Sequence, residues 1–490
     1  MPPAVPSVTR ALRTDVTASL VVFLVALPLC VGVAVASGVP AELGLVTGIV
    51  GGLVTGLLPG SSLQVSGPAA GLTVIVHEAV REHGVAALGV VVLATGVLQL
   101  ALGAAGLGRW FRAISVSVVE GMLGGIGLVI ILGQLYAMAD HGAPASGPGK
   151  LAGLPGLVAH AATEPRALSA LAIGVGTIAV IVLWQRLPAR ARVVPGALVA
   201  VACATAAAAL LHLPLKTVQV RGLADALRLP GADAFGALAS PAVLGTVVAF
   251  TLIASAESLF SAAAVDRLHD GPRTRYNKEL VAQGAGNTVC GLLGALPMTA
   301  VIVRSSANVH AGARTKASRV LHGVWLLLFA ALLPAVLEYI PLAALAGVLV
   351  HAGVKLLPVA PLRALWSAHR GEAVVLAVTA TAIVTVNMFE GVLIGLGLAV
   401  AKTAWEISRV HVAVTDHGQG AITVRLSGNA TFLRLPKMLD VLEALPAHRP
   451  VELDLTGLRH QDHASGVALR SWAETRTAPG TAAVRPAPAL

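Results

Sequence analysis

Long apolar stretches, each closed by a short polar or basic connection, recur from about residue 16 to residue 407. A helix crossing the hydrocarbon of a bilayer needs about 20 mostly apolar residues. On that measure the pattern predicts spans at 16–37, 41–58, 67–80, 85–106, 114–137, 167–185, 193–213, 243–264, 279–296, 303–312, 319–340, 342–356, 372–388 and 389–407. The expected fold is an all-α polytopic membrane protein of about 14 spans. Two segments, 67–80 and 303–312, are short, and each follows a stretch that is poor helix. Beyond Lys402 the period changes. AITVRL (421–426) alternates like a strand, LPKMLDVLEAL (435–445) has helical spacing, VELDLTGL (451–458) reads as a strand and 463–474 as a helix. This order predicts a small α/β domain over 409–476. The Pro/Ala-rich residues 477–490 predict a disordered tail, and residues 1–14 an N-terminal segment outside the membrane.

Composition strengthens the membrane reading. Of 490 residues, 56% are hydrophobic and only 12% charged, about half the charged fraction of a soluble protein. The 52 glycines and 28 prolines are tolerated in membrane helices, and small residues suit close helix contact in lipid. A net charge of +10 would suggest nucleic acid in a soluble domain. Here the arginines sit in short loops, with no basic stripe or aromatic platform, so no nucleic-acid partner is expected. Cys30, Cys203 and Cys290 lie in apolar segments without metal-ligand spacing, which implies neither a zinc site nor a disulfide framework.

The placement of charge sets an orientation. With the N-terminus in the cytoplasm behind Arg10 and Arg13, the expected cytoplasmic loops hold Arg109 and Arg112; Arg186, Arg190 and Arg192; Arg267, Arg273, Arg275 and Lys278; Arg314, Lys316 and Arg319; and Lys355, Arg363 and Arg370. The expected outer loops mix signs or carry acids, as the positive-inside rule requires.

An ion crossing lipid needs polar groups at membrane depth, and transporters often supply them from broken helices whose N-termini face one site. Two such breaks are visible. In Leu63-Gln64-Val65-Ser66-Gly67-Pro68-Ala69-Ala70-Gly71 an extended stretch meets a Gly-Pro break before an apolar helix. Proline is favoured in a first helical turn and excluded from the interior. The second runs from Leu296-Pro297 through β-branched residues into Arg304-Ser305-Ser306-Ala307-Asn308. A charge inside a span is costly unless it faces a site or a partner. The partner candidate for Arg304 is Glu257, the only acid in the eighth span, and a structural salt bridge between them is the alternative to an anion or coupling-ion site.

These residues carry a resemblance. The chain is similar to the sulfate permease family, bacterial relatives of the solute carrier 26 anion transporters. The similarity rests on Asp15–Gly38, the Gly60–Pro68 turn, Glu257-Ser258-Leu259, Asn277–Gly284, Gly286-Asn287 and, most specifically, Arg304–Thr315. The resemblance implies two intertwined inverted repeats of seven spans, a core and a gate domain, and a short STAS domain at 409–476. It implies an anion site at Ser66, Gly67, Ala69 and Ala70 on the third span and Val303, Arg304 and Ser305 on the tenth. It places a coupling-ion site at Glu257 with Ser261, for sodium or a proton; where sodium-coupled members carry a threonine this chain has Ile302. It implies a homodimer in the plasma (inner) membrane, with the N-terminus and the STAS domain cytoplasmic.

The expected function is secondary active transport of a small inorganic anion, bicarbonate ahead of sulfate. Leu29 after Pro28 resembles bicarbonate-type members, and a singly charged oxyanion is easier to desolvate than sulfate. An uncoupled anion channel and a nucleobase-type permease of the same architecture are the alternatives. No nucleophile–base constellation, phosphate loop or metal cluster suggests an enzyme or a resident cofactor.

Overall fold

The apolar stretches fold as helices, because in a bundle of small and aliphatic residues every backbone polar group is satisfied within its own segment. The structure, a computed structural model, describes residues 8–490 except 114, 145, 189–193, 221, 419, 447–448, 476–481 and 486–490. In chain order the first helices are α1 (Val8–Ala36), α2 (Ala41–Val50), α3 (Thr73–Ala104), α4 (Val116–Met138), α5 (Gly147–Ala152), α6 (Leu154–Thr163), α7 (Pro165–Trp184) and α8 (Gly196–Leu210). There follow α9 (Leu223–Ala226), α10 (Pro241–Val265), α11 (Tyr276–Leu292), α12 (Ile302–His310), α13 (Ala317–Leu332) and α14 (Leu342–Leu356). The series closes with α15 (Val359–Ala368), α16 (Arg370–Thr385) and α17 (Met388–Ile407).

Each apolar segment read from the sequence coincides with helix. Segment 67–80 begins non-helical and enters α3 at Thr73, and 85–106 continues in the same helix, which is broken at Gly84, where φ is 81° and ψ 163°. Only a residue without a Cβ adopts that conformation readily. Among the described residues six helices are long and apolar enough to cross a membrane, and three further apolar helices are shorter. The outer surface of the bundle is itself apolar. Leu168, Val175 and Leu183 on α7, Leu210 on α8 and Leu244 and Leu252 on α10 are exposed, which is the surface lipid would cover. Arg190 and Arg192, expected in a basic loop, and the first seven residues lie outside the described residues.

Two groups of helices pack mainly among themselves. One joins α1, α2, α3, α10, α11, α12 and α13; the other joins α4, α7, α8, α14 and α16. Between Gly60 and Gly67, and again between Leu296 and Val301, the chain is not helical. There β1 (Ser66–Pro68) and β2 (Met298–Ala300) pair antiparallel, Ser66 opposite Ala300 and Gly67 opposite Thr299.

The chain divides into two compact units, Met1–Gly395 and Leu396–Leu490. In the second, β3 (Val410–Asp416), β4 (Ile422–Ala430), α18 (Leu435–Glu443), β5 (Val451–Gln461), α19 (His463–Thr475) and β6 (Ala482–Arg485) follow one another. The sheet order is β3-β4-β5-β6, with β3–β4 antiparallel and the other pairs parallel. Val424, Leu426, Met438, Leu442, Leu453 and Leu469 form its core. The expected strand–helix–strand–helix order is present, and β3 was not foreseen. Residues 477–490 were expected to be a disordered tail, yet 482–485 form β6, and Arg485 Nε lies 2.6 Å from Glu452 Oε1 of the neighbouring strand. A four-residue edge strand among Pro and Ala carries no alternation by which to read it. The rest of that tail lies outside the described residues.

Candidate functional site

Both sequence breaks become the same device, an extended tripeptide followed by a helix start. Backbone pairing of β1 with β2 holds the two starts together, extended by Val301 N donating to Val65 O at 2.9 Å. After β1, Ala69 is extended, residues Ala70–Leu72 make one 3₁₀ turn, and α3 begins. After β2, Val301 is extended and α12 begins at Ile302. Neither helix start is capped by a side chain of its preceding residue. Leu72 N donates to Ala69 O and Thr73 N to Ala70 O, so the amides left for a ligand are those of Ala70 and Gly71 ahead of α3 and of the first turn of α12, with the positive ends of both helix dipoles nearby.

Arg304, in the first turn of α12, is fully buried. Its Nη2 donates to Pro68 O, at 3.4 Å, with the Cys30 thiol beside the guanidinium, while Nε and Nη1 have no hydrogen-bond partner among the described protein atoms. Gly67 lies against this guanidinium, and a Cβ there would collide with Nη1. A buried guanidinium with two free donors matches the oxygens of an oxyanion.

Glu257 on α10 lies beside Gly71 at the opposite helix start. A Cβ at Gly71 would stand 2.8 Å from Oε1 and 2.9 Å from Oε2. Oε2 is buried without a hydrogen-bond partner. No ion pair joins Glu257 to Arg304 among the described residues, so the salt-bridge alternative is not what the structure shows. Both side chains instead line one cavity of about 500 Å³ between the two helix groups, together with Ala70, Ser261, Ile302 and Val303.

A second cavity of about 380 Å³, lined among others by His77, Lys150 and Lys216, uses the same helices further along. On α4 the first cavity reaches Leu123 and the second begins at Val129; on α14 the corresponding residues are Val348 and Ala346. The cavities thus occupy opposite ends of α4, separated by packed side chains.

Of the sequence candidates, Ala70, Val303, Arg304, Glu257 and Ser261 face the first cavity. Ser66, Gly67, Ala69 and Ser305 are buried behind it. Ser305 Oγ accepts from Val65 N at 2.9 Å and donates to Val301 O at 2.8 Å, clasping the start of α12 to the strand preceding α3. Ser66 Oγ accepts from Gln283 Nε2 at 2.8 Å. Both hydroxyls position the backbone that carries the site. The sequence reading assigned no role to that supporting layer. Gln283 also donates to Glu279 Oε1 at 2.8 Å, and Asn287 Nδ2 donates to Gln99 Oε1 at 2.8 Å, while Met298 N donates to Asn287 Oδ1 at 2.7 Å. The i, i+4, i+8 spacing of Glu279, Gln283 and Asn287 along one face of α11 was the available signal.

Known proteins bear on this arrangement. The family model described as the sulfate permease family matches residues 12–379. The Bacillus subtilis protein YbaR is 25% identical over 463 residues, covering 94% of this chain and 91% of YbaR. Bicarbonate transporter BicA of Picosynechococcus is 27% identical over 366 residues, 71% of this chain and 62% of BicA. The solved transmembrane domain of a cyanobacterium BicA superposes with a TM-score of 0.66 at 24% identity, over 80% of this chain and 98% of that domain. Murine Solute Carrier 26 family member A9, solved in an inward-facing state, gives a TM-score of 0.77 at 15% identity over 96% of this chain and 84% of its own. At those identities the superpositions establish the fold, and the family model establishes kinship. The chain is a member of the sulfate permease family, a multi-pass membrane transporter whose relatives carry sulfate or bicarbonate.

Proposed function

We propose that this chain is a secondary active transporter of a small inorganic anion, bicarbonate ahead of sulfate, working by alternating access. The observation that carries the reading is Arg304, buried, unpaired and held beside two helix starts at the wall of a cavity. A monovalent oxyanion docked there would accept from the guanidinium and from the amides ahead of α3 and in the first turn of α12. In this reading the group containing α3 and α12 is the core, and the group containing α4 and α14 is the gate. The two belong to inverted repeats of seven spans, 14 in all. Sliding of one against the other would close the first cavity and open the second, in the manner of transporters built from repeats. Glu257, whose carboxylate reaches the other helix start, is the coupling group, with Ser261 beside it and a sodium ion or a proton as the coupled cation. The second unit is a STAS domain, in the cytoplasm with the N-terminus, and the protein works as a homodimer in the plasma membrane.

The test is radiolabelled bicarbonate and sulfate uptake into proteoliposomes, with and without inward sodium or proton gradients. Gradient-driven bicarbonate uptake supports the reading in full. Gradient-driven sulfate uptake keeps the mechanism and changes the substrate. Flux of both anions that ignores every gradient would make this an uncoupled channel and remove the role given to Glu257.

A further inference from the structure

The second unit holds a basic cleft that transport does not use. It has a volume of about 640 Å³ and is lined by Arg409, His411, Arg434, Lys437 and Arg459 over the backbone of Gly428 and Gly457. No Asp or Glu lines it. Nearby acids are engaged elsewhere. Glu406 is paired with Lys402 at 2.8 Å, and Asp462 accepts from Phe432 N at 2.7 Å and Ser465 N at 2.8 Å. None of Arg409, Lys437 and Arg459 forms an ion pair among the described residues. Arg434 stacks over the ring of Trp405 at 3.9 Å, and its buried Nε has no hydrogen-bond partner. Three arginines and a lysine around one concavity describe a receptor for a phosphate-sized anion.

Its surroundings indicate where that anion comes from. Arg409 follows the apolar helix α17 by two residues, and Asn429 fixes this junction, its Nδ2 donating to Ile407 O at 2.8 Å and its N to Arg409 O at 2.9 Å. Trp405, Ile407 and Phe432 are all exposed in a folded domain. Exposed aromatic residues next to a basic cluster just beyond an apolar helix are the composition of a membrane interface. Water alone would not favour Trp405 and Phe432 at this position.

We infer that the cleft of Arg409, Arg434, Lys437 and Arg459 binds a phosphate group, presented by the headgroup of an anionic lipid at the end of α17. Arg434 would turn from the Trp405 ring towards the phosphate while Trp405 and Phe432 lie among the upper acyl carbons. The cleft would then hold the second unit at the bilayer surface in a lipid-dependent way.

The experiment titrates purified full-length protein in detergent with short-chain phosphatidylglycerol, short-chain phosphatidylcholine or inorganic phosphate, and follows binding by calorimetry. The same series is run on Arg434→Gln/Lys437→Gln/Arg459→Gln, with circular dichroism and gel filtration to establish folding. Saturable phosphatidylglycerol binding that weakens about a hundredfold in the variant, with phosphatidylcholine and phosphate inert, is the expected result. Inorganic phosphate binding that the variant abolishes would keep the phosphate site and overturn its lipid source. Affinities for all three ligands that the variant leaves unchanged would overturn the inference. Should the triple variant misfold, Arg459→Gln alone, at an exposed strand position, is expected to weaken phosphatidylglycerol binding severalfold, and no change there would count equally against the site.

Discussion

Replacing Arg304 by methionine separates a substrate ligand from a structural ion pair. Breaking a buried salt bridge by removing one partner costs about 3–5 kcal/mol, because the other charge is left uncompensated. Arg304 has no carboxylate partner; its hydrogen bond to Pro68 O is 3.4 Å long, and the Cys30 thiol lies beside it. What methionine removes is weak neutral contacts, worth about 1 kcal/mol, together with the desolvation penalty of an unpaired charge, which favours the variant. The stem methylenes are replaced by a side chain of similar reach. The thermal midpoint in detergent is therefore expected to stay unchanged or to rise. Transport should respond in the opposite sense. Losing one partner of a buried ion–oxyanion contact costs about 2–5 kcal/mol, so initial uptake at low substrate should fall by roughly thirtyfold or more. The assay is proteoliposome uptake beside a thermal melt of the same preparation. Preserved uptake would remove Arg304 from the site. Lost uptake with a midpoint lowered by an amount equivalent to several kcal/mol would mean that the guanidinium holds the fold together.

Other substitutions address the neighbouring groups. Gly67→Ala places a methyl group against Arg304 Nη1, so uptake should fall at least tenfold while the protein still inserts and melts cooperatively; unchanged uptake would show that the guanidinium has room to move. Glu257→Gln keeps the size and removes the charge beside Gly71, and the dependence of uptake on sodium or proton gradients should disappear while anion exchange persists. Gln283→Leu leaves the Ser66 hydroxyl and Glu279 Oε1 without the amide donor they share, while Glu279 Oε2 keeps its bond from Ser61 N. It should lower stability by about 1–3 kcal/mol, seen as a drop in melting temperature. In the second unit, the Thr456 hydroxyl and amide, with the Arg425 guanidinium, hold the Asp454 carboxyl down at about 2. An acid depressed on folding contributes stability above its unfolded value near 3.8 and loses it as pH falls towards 2. Acid melts of the wild type should therefore steepen between pH 4 and 2, and Asp454→Asn should flatten that window.

The sequence made the site legible where chemistry is written in single residues. A proline after glycine at 67–68 and an arginine in an apolar segment at 304 cannot be explained by ordinary helix packing, and both line one cavity, Pro68 as the end of β1 ahead of the turn into α3 instead of in the first helical turn, Arg304 in the first turn of α12. The gap between the expected spans 67–80 and 85–106 likewise falls at the break in α3, at Gly84. What could not be read was pairing. Three-residue strands at 66–68 and 298–300 offer no alternation, and their partner lies more than 200 residues away along the chain. The family resemblance likewise implied Ser66 and Ser305 as substrate contacts, and a hydroxyl at such a break serves an anion or a neighbouring strand equally well. Only the fold shows their bonds to Gln283 and Val65. β6 stayed hidden because its four residues become a strand only through β5.

The packed layer between the two cavities has an electrical meaning. Leu123 and Val129, which border it on α4, are six positions apart, about 9 Å at the helical rise of about 1.5 Å per residue. Charged side chains line both cavities, Lys355 in the first and Lys150 and Lys216 in the second, and would favour water entering from either end. A membrane voltage drops across insulator and hardly at all across electrolyte. Nearly the whole potential would therefore fall over this thin septum instead of over a bilayer core about 30 Å thick. A unit charge passing it would exchange about 2.3 kcal/mol with the field for each 100 mV, within a displacement of about 9 Å. Small sliding motions near Arg304 would thereby be large events for the cell's voltage.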